Sequence, residues 1–173
     1  LEITIAYSGP VTQVTDVTVK DRCMKEALHE ACPWGEYLSR AGWTPDGKFM
    51  YAVIIDRLQI RQAIYLISLS SFYTKDDKNG QPYIQCIYEE TSSVWINVHD
   101  ILHFFPQTSE SEISFLYASE KSGFMHLNLI TSQLSQAGVG YQGQHVGQGD
   151  VADNHLSCQI LNEVAITSGS WVE

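Results

Sequence analysis

The sequence predicts an all-β chain: about two four-stranded antiparallel blades of a β-propeller, preceded by an N-terminal strand segment with one short helix. Three observations carry this expectation. Short runs of β-branched and aromatic residues alternate with polar ones, as half-buried strands do. Turn residues punctuate those runs throughout. The motif Thr91-Ser92-Ser93-Val94-Trp95 recurs as Thr167-Ser168-Gly169-Ser170-Trp171, each time after the fourth strand of a set. A single blade cannot bury both of its faces, so blades stand side by side in closed rings.

Residues 1–7 alternate apolar and polar side chains, Ser8-Gly9-Pro10 is a turn, and residues 11–19 alternate again with Val and Thr. Residues 23–31 are mostly good helix formers, with Met24, Leu28 and Ala31 at helical spacing and Pro33 ending the run. These elements make up an N-terminal segment, 1–35. A first blade spans 36–93, with strands at 37–43, 48–55, 60–68 and 83–89. Pro45-Asp46-Gly47 turns the first pair, Gly47 supplying the positive φ. Phe49, Tyr51, Val53 and Ile55 share one face of the second strand. Residues 56–59 reverse the chain, and Lys75-Asp76-Asp77-Lys78-Asn79-Gly80 is a charged surface loop. A second blade spans 94–173, with strands at 94–105, 112–119, 124–130 and 158–166. Pro106 closes the first of these and Lys121-Ser122-Gly123 turns between the next two. Residues 131–154, rich in Gln and Gly, read as a flexible surface insertion.

Composition narrows the function classes. The 173 residues are 44% apolar, enough for one packed core, and 11% are aromatic. Twenty acidic against ten basic residues give a net charge of −10, which repels phosphate backbones and argues against nucleic-acid binding. No run approaches the ~20 apolar residues that span a bilayer, so no membrane association is expected. The first residues form no signal peptide, and the chain begins and ends in strand-like text, so a piece of a longer protein is expected. Cys23, Cys32, Cys86 and Cys158 form no C-x-x-C pair and read as small apolar residues. None of Asn79, Asn97, Asn128, Asn154 and Asn162 begins a glycosylation sequon; together with the cysteine usage this favours the cytosol.

Five places in the sequence carry candidate chemistry. His99-Asp100-Ile101-Leu102-His103 has the histidine spacing of a helical zinc motif, yet its flanks are strand-forming. On a strand the two imidazoles would lie about 13 Å apart, too far to share a metal. Glu89-Glu90 is a carboxylate pair whose members point to opposite faces of a strand, and solvated strand-end charge is the expectation. Ser170 sits in Gly169-Ser170-Trp171, which lacks the second glycine of a nucleophile elbow. Gly138, Gly140, Gly143, Gly147 and Gly149 precede no helix and no Lys-Ser/Thr, so they form no phosphate loop. Trp43, Trp95 and Trp171 recur at equivalent points, where large rings are expected to fill the wedge between blades. No catalytic, cofactor-binding or metal-ligating residue is assigned, and no cofactor is expected.

Five stretches, taken together and in order, carry a resemblance. They are Glu36-Tyr37-Leu38-Ser39-Arg40-Ala41-Gly42-Trp43-Thr44-Pro45-Asp46-Gly47-Lys48; Tyr88-Glu89-Glu90-Thr91-Ser92-Ser93-Val94-Trp95-Ile96-Asn97-Val98-His99-Asp100-Ile101; Phe115-Leu116-Tyr117-Ala118-Ser119-Glu120; Ser122-Gly123-Phe124-Met125-His126-Leu127; and Glu163-Val164-Ala165-Ile166-Thr167-Ser168-Gly169-Ser170-Trp171. They resemble the N-terminal propeller of the cytosolic dipeptidyl peptidases 8 and 9, of the prolyl oligopeptidase clan. The match runs from about residue 36 to 173, the insertion at 133–154 excepted; residues 1–35 match poorly.

The resemblance implies an eight-bladed propeller capping an α/β-hydrolase domain of the same protein, a homodimer, and cytoplasmic location. It implies a serine-type enzyme acting on peptides with a free N-terminus and releasing X-Pro or X-Ala dipeptides. Its Ser, Asp and His would come from the hydrolase domain, outside this chain. A propeller Glu-Glu pair binds the substrate ammonium in that family, but in a Glu-Glu-Phe context upstream. Glu89-Glu90 aligns with a different segment, and the role is not carried over. This chain alone is therefore expected to be inactive. The alternative is a non-catalytic propeller-type interaction module, or an inactive relative.

Overall fold

A computed structural model describes residues 31–68, 83–135 and 158–170, together with the backbone of two short strands, β1 (Thr4–Ile5) and β2 (Val17–Thr18). These two pair antiparallel as a small separate sheet, Thr4 opposite Thr18 and Ile5 opposite Val17. The expected helix at 23–31 lies outside the described residues except for Ala31 at its end. The loop at 75–80 and Trp171 lie outside them as well.

The rest is two four-stranded antiparallel sheets, each an unbroken meander. The first holds β3 (Tyr37–Trp43), β4 (Phe49–Ile55), β5 (Arg61–Ser68) and β6 (Ile84–Thr91), in that spatial order. The second holds β7 (Leu102–Phe104), β8 (Glu112–Ser119), β9 (His126–Gln133) and β10 (Ile160–Ala165), also in sequence order. This is the make-up of two propeller blades. The hairpin turns follow from local chemistry. At the first, Gly47 takes φ 68°, Gly47 N–H donates to Thr44 O (2.9 Å), and Asp46 Oδ1 accepts from Thr44 Oγ1 (2.6 Å) and from Lys48 N–H (3.1 Å). At the second, Asp56 Oδ1 accepts from the backbone of both Ile60 and Arg61 at 2.9 Å. Gly123 takes φ 98° between β8 and β9.

The sheets stack face to face. Tyr51, Val53, Ile64, Leu66, Ile87 and Tyr88 of the first meet Phe104, Ile113, Phe115, Tyr117, Ile130 and Leu134 of the second. Phe115 lies at the centre, fully buried, 5.3 Å from Phe104 and 6.3 Å from Tyr88 between ring centroids. The first sheet is covered on its other face too. There Met50, Ala52, Ile54, Ala63, Tyr65, Ile67, Ile84 and Cys86 pack against Cys32, with Ala31, Trp34, Leu38 and Trp43 around them. Two covered faces explain why β4 and β5 are nearly continuous apolar runs. Phe49, Tyr51, Val53 and Ile55 share one face, and Met50, Ala52 and Ile54 are buried on the opposite one.

Several expectations are corrected. Residues 94–101 are not strand; β7 is only Leu102–Phe104. The connection from β6 instead crosses the turn before β5, where Ser92 N–H donates to Ile60 O (2.8 Å) and Ile96 N–H to Gln59 O (2.7 Å). Backbone that bonds to a turn cannot also bond to a sheet. That path buries Ile96 and leaves Trp95 53% exposed, so Trp95 fills no wedge between these two sheets. Trp43 is half-buried against the outer cluster of the first sheet, not between the sheets. The stretch from Thr131 begins as strand: β9 runs to Gln133, and Leu134 is buried in the inter-sheet core.

Three strands carry one residue more than their partner: Ser39 in β3, Ile87 in β6 and Leu161 in β10. The bulge in β6 matters most. Cys86 opposes Tyr65 and Tyr88 opposes Ile64, so Ile87 has no cross-strand partner. Ile87 and Tyr88 both enter the inter-sheet core, while Cys86 faces the outer cluster.

Candidate functional site

The bulge in β6 decides where Glu89 and Glu90 go. Beyond it, Glu89 lies opposite Ala63 on the outer face, and Glu90 lies opposite Gln62 on the inter-sheet face. Glu89 Oε1 accepts from Arg61 Nε at 2.6 Å, and the Arg61 guanidinium stacks over Trp34, 4.4 Å from the ring centroid. The two carboxylates therefore diverge, as alternation requires. Solvated strand-end charge, however, is the wrong description of Glu90, which is 8% exposed.

Glu90 is buried with two hydroxyl partners, one from each sheet. The Ser119 hydroxyl, at the end of β8, donates to Oε1 at 2.8 Å, and the Tyr88 hydroxyl donates to Oε2 at 3.0 Å. Burial, and then the Glu90 charge, push the Tyr88 phenol well above its ordinary range, so it stays a donor. Tyr117 is raised for the same two reasons and accepts a hydrogen bond from Gln62 Nε2. Lys121, in the turn after β8, lies 5.2 Å from the Tyr88 ring centroid and pairs with Glu163 of β10 at 2.6 Å. Beside this network lies a cleft of about 450 Å³, bordered by the 91–97 connection, His99, Glu120 and Lys121.

His99 and His103 have separate jobs. His99 Nε2–H donates to Ala118 O at 2.9 Å, and Nδ1 accepts from Ile101 N–H at 3.2 Å. That is the neutral imidazole with both nitrogens in use. Burial lowers its pKa below the ordinary 6.5, against smaller raising contributions from the Ala118 carbonyl and Glu90. His103, exposed on β7, packs edge-on against Phe105 at 5.5 Å. The Arg40 guanidinium bonds the Asp100 carbonyl between them. Among the described residues no group of three His, Cys, Asp or Glu side chains could hold a metal ion.

A pH dependence follows from His99. The unfolded chain binds its proton near pH 6.5, the folded chain only below that. The contribution of His99 to stability is thus complete above about pH 6.5 and is lost as the pH falls through the window down to the lowered folded value. Urea titrations from pH 8 to pH 5 are expected to give a shallower decline for His99→Gln than for the parent sequence. Parallel curves for the two would remove this assignment.

His126 is buried in β9. Its Nδ1 accepts from the Thr167 hydroxyl at 3.2 Å, and its Nε2–H donates to Gly169 O at 2.9 Å. Thr167 Oγ1 also accepts from Leu127 N–H at 3.0 Å, so the second Thr-Ser-x-x-Trp motif anchors its segment to β9. Ser170, at the end of that segment, is exposed. The glycines at 138–149 lie outside the described residues. Sequence reasoning missed Glu90, Ser119 and Lys121 as one network. The available signal was the placement of Ser119 two residues past the core-facing Tyr117 on an alternating strand.

Comparison with known proteins agrees with this architecture. The family model described as the dipeptidyl peptidase IV (DPP IV) N-terminal region matches residues 4–173. Human dipeptidyl peptidase 8 is 43% identical over 148 residues, which cover 79% of this chain and 16% of that protein. Mouse dipeptidyl peptidase 8 is 43% identical over 182 residues, covering 98% of this chain and 19% of that protein. The chain thus spans less than a fifth of the length of these relatives.

Proposed function

The chain belongs to the family of dipeptidyl peptidase IV N-terminal regions, and from that premise we propose that it is the propeller portion of a cytosolic serine-type dipeptidyl peptidase. Its parent releases X-Pro and X-Ala dipeptides from peptides with a free N-terminus. The observation that carries this is the 43% identity to mouse dipeptidyl peptidase 8, spread over 98% of the chain. In this function the blades act as gate and scaffold. They narrow access to a hydrolase domain supplied elsewhere in the polypeptide, which holds the Ser, Asp and His that cut. The parent is a homodimer. Aminopeptidase chemistry of this kind needs desolvated carboxylates to hold the substrate ammonium at a fixed distance from the scissile bond. Glu89 and Glu90 are spent on Arg61 and on the Tyr88–Ser119 pair, in keeping with their having no such role.

The test compares the intact protein with the isolated chain. Intact protein is expected to release the reporter from a Gly-Pro substrate and to lose that activity with a serine-directed fluorophosphonate. The 173-residue chain is expected to give no turnover above background. Fluorophosphonate-sensitive turnover by the purified chain would overturn the division of labour. A folded intact protein without turnover would favour a non-catalytic interaction module.

A further inference from the structure

Glu90 is a buried carboxylate with no cationic partner among the described residues. Each arginine and lysine among them already pairs with another acid: Arg40 with Asp100, Lys48 with Asp46, Arg57 with Glu36, Arg61 with Glu89 and Lys121 with Glu163. Of the described carboxylates outside these pairs, Asp56, Glu110, Glu112 and Glu120 are half-buried or exposed, and Glu90 alone is buried. The Ser119 and Tyr88 hydroxyls each bond one of its oxygens, whereas an ionised carboxylate has about four acceptor sites. One site on each oxygen is left over.

Glu90 borders the cleft of about 450 Å³, and so does the half-exposed Trp95. Glu120 lies on the same cleft, where its Oε2 accepts from Asn97 Nδ2. His99, with both ring nitrogens bonded, and Lys121, held by Glu163, bring Glu90 no counter-charge. The opposite face of β6 shows the same grouping filled. There Arg61 Nε donates to Glu89 at 2.6 Å while its guanidinium lies 4.4 Å from the Trp34 ring centroid. The cleft has the acid and the indole, and no arginine among the described residues borders it.

We propose that this cleft is a binding site for an arginine side chain carried by a partner peptide, whose guanidinium bonds Glu90 and stacks on Trp95. A guanidinium suits the two walls better than an ammonium does, because it is planar, weakly hydrated and donates as a fork. Its flat face takes the indole while its edge takes the carboxylate. The cleft volume falls within the roughly 300–1,000 Å³ of small-ligand sites, ample for one long side chain. The net charge of −10 steers a basic segment toward this surface. Because Glu89 faces away, Glu90 cannot form a two-carboxylate clamp for a substrate ammonium, but a single side chain needs no such pair.

The test uses the intact protein and three blocked peptides, acetyl-Gly-X-Gly-amide with X as arginine, lysine or citrulline, followed by ligand-observed saturation-transfer NMR. The acetyl group removes the free N-terminus that the proposed peptidase acts on, so the outcome is independent of that activity. Saturable binding of the arginine peptide is expected, with weaker binding of lysine and none of the isosteric, uncharged citrulline. Glu90→Gln is expected to weaken the arginine peptide about tenfold or more. Trp95→Ala, at an exposed position, is expected to weaken it about threefold and decides the matter if Glu90→Gln fails to fold. No saturable binding by the intact protein would overturn the proposal. So would equal binding of the arginine peptide and either counterpart, or unchanged binding in folded Trp95→Ala.

Discussion

Phe115→Ala is expected to cost about 3–5 kcal/mol of propeller stability, the range for truncating a fully buried aromatic side chain. Phe115 is 0% exposed and sits where the two sheets meet, touching Phe104 on its own sheet and Tyr88 across the interface. Removing the ring opens a void walled by Tyr88, Tyr117, Ile64 and Ile130, side chains fixed on separate strands that cannot collapse into it together. The measurement is the urea midpoint of the intact protein, with Leu58→Ala as control. Leu58 is 67% exposed in the β4–β5 turn, and its truncation is expected to stay within about 0.5 kcal/mol. A Phe115→Ala cost below about 1 kcal/mol would mean that the sheets do not depend on this contact.

The second large effect is expected at Glu90. Glu90→Ala removes the acceptor of two buried hydroxyls, those of Tyr88 and Ser119, and each donor left without a partner costs about 1–3 kcal/mol. The expected loss is roughly 2–4 kcal/mol. It is distinguishable from simple cavity formation by a double-mutant cycle. With Ser119→Ala as the second change, the coupling is expected to exceed about 1 kcal/mol, because the two groups share one hydrogen bond across the sheet interface. Additive costs would show that Ser119 finds another partner and that the carboxylate does not join the blades.

Strand positions were largely legible in the sequence. β3 and β8 fall where alternation and turn residues put them, and Gly47 and Gly123 take the positive φ that their turns require. What stayed hidden depends on tertiary partners. Residues 94–101 have strand-like composition, yet Ser92 and Ile96 bond to the neighbouring turn, and no local signal announces that. Trp95 looks like a core residue by type, and only the path of the connection leaves it outside. The two-sided burial of β4 could have been inferred from its unbroken apolar run, Met50 to Ile55, which alternation alone treats as one face. The burial of Glu90 could not, because its partner Ser119 comes from a strand 29 residues away and its facing depends on a bulge.

That bulge acts as a phase shift. Counted by twos from Gln85, which reaches the second sheet through Gln133 and Ser135, the rule would send Glu89 inward and leave Tyr88 and Glu90 on the outer side. One surplus residue, Ile87, exchanges those fates. Two adjacent glutamates thus acquire opposite destinies, one swallowed between blades and one clamped by arginine, from a defect upstream of both. One residue inserted between Tyr88 and Glu89 would swap them back, with neither side chain altered.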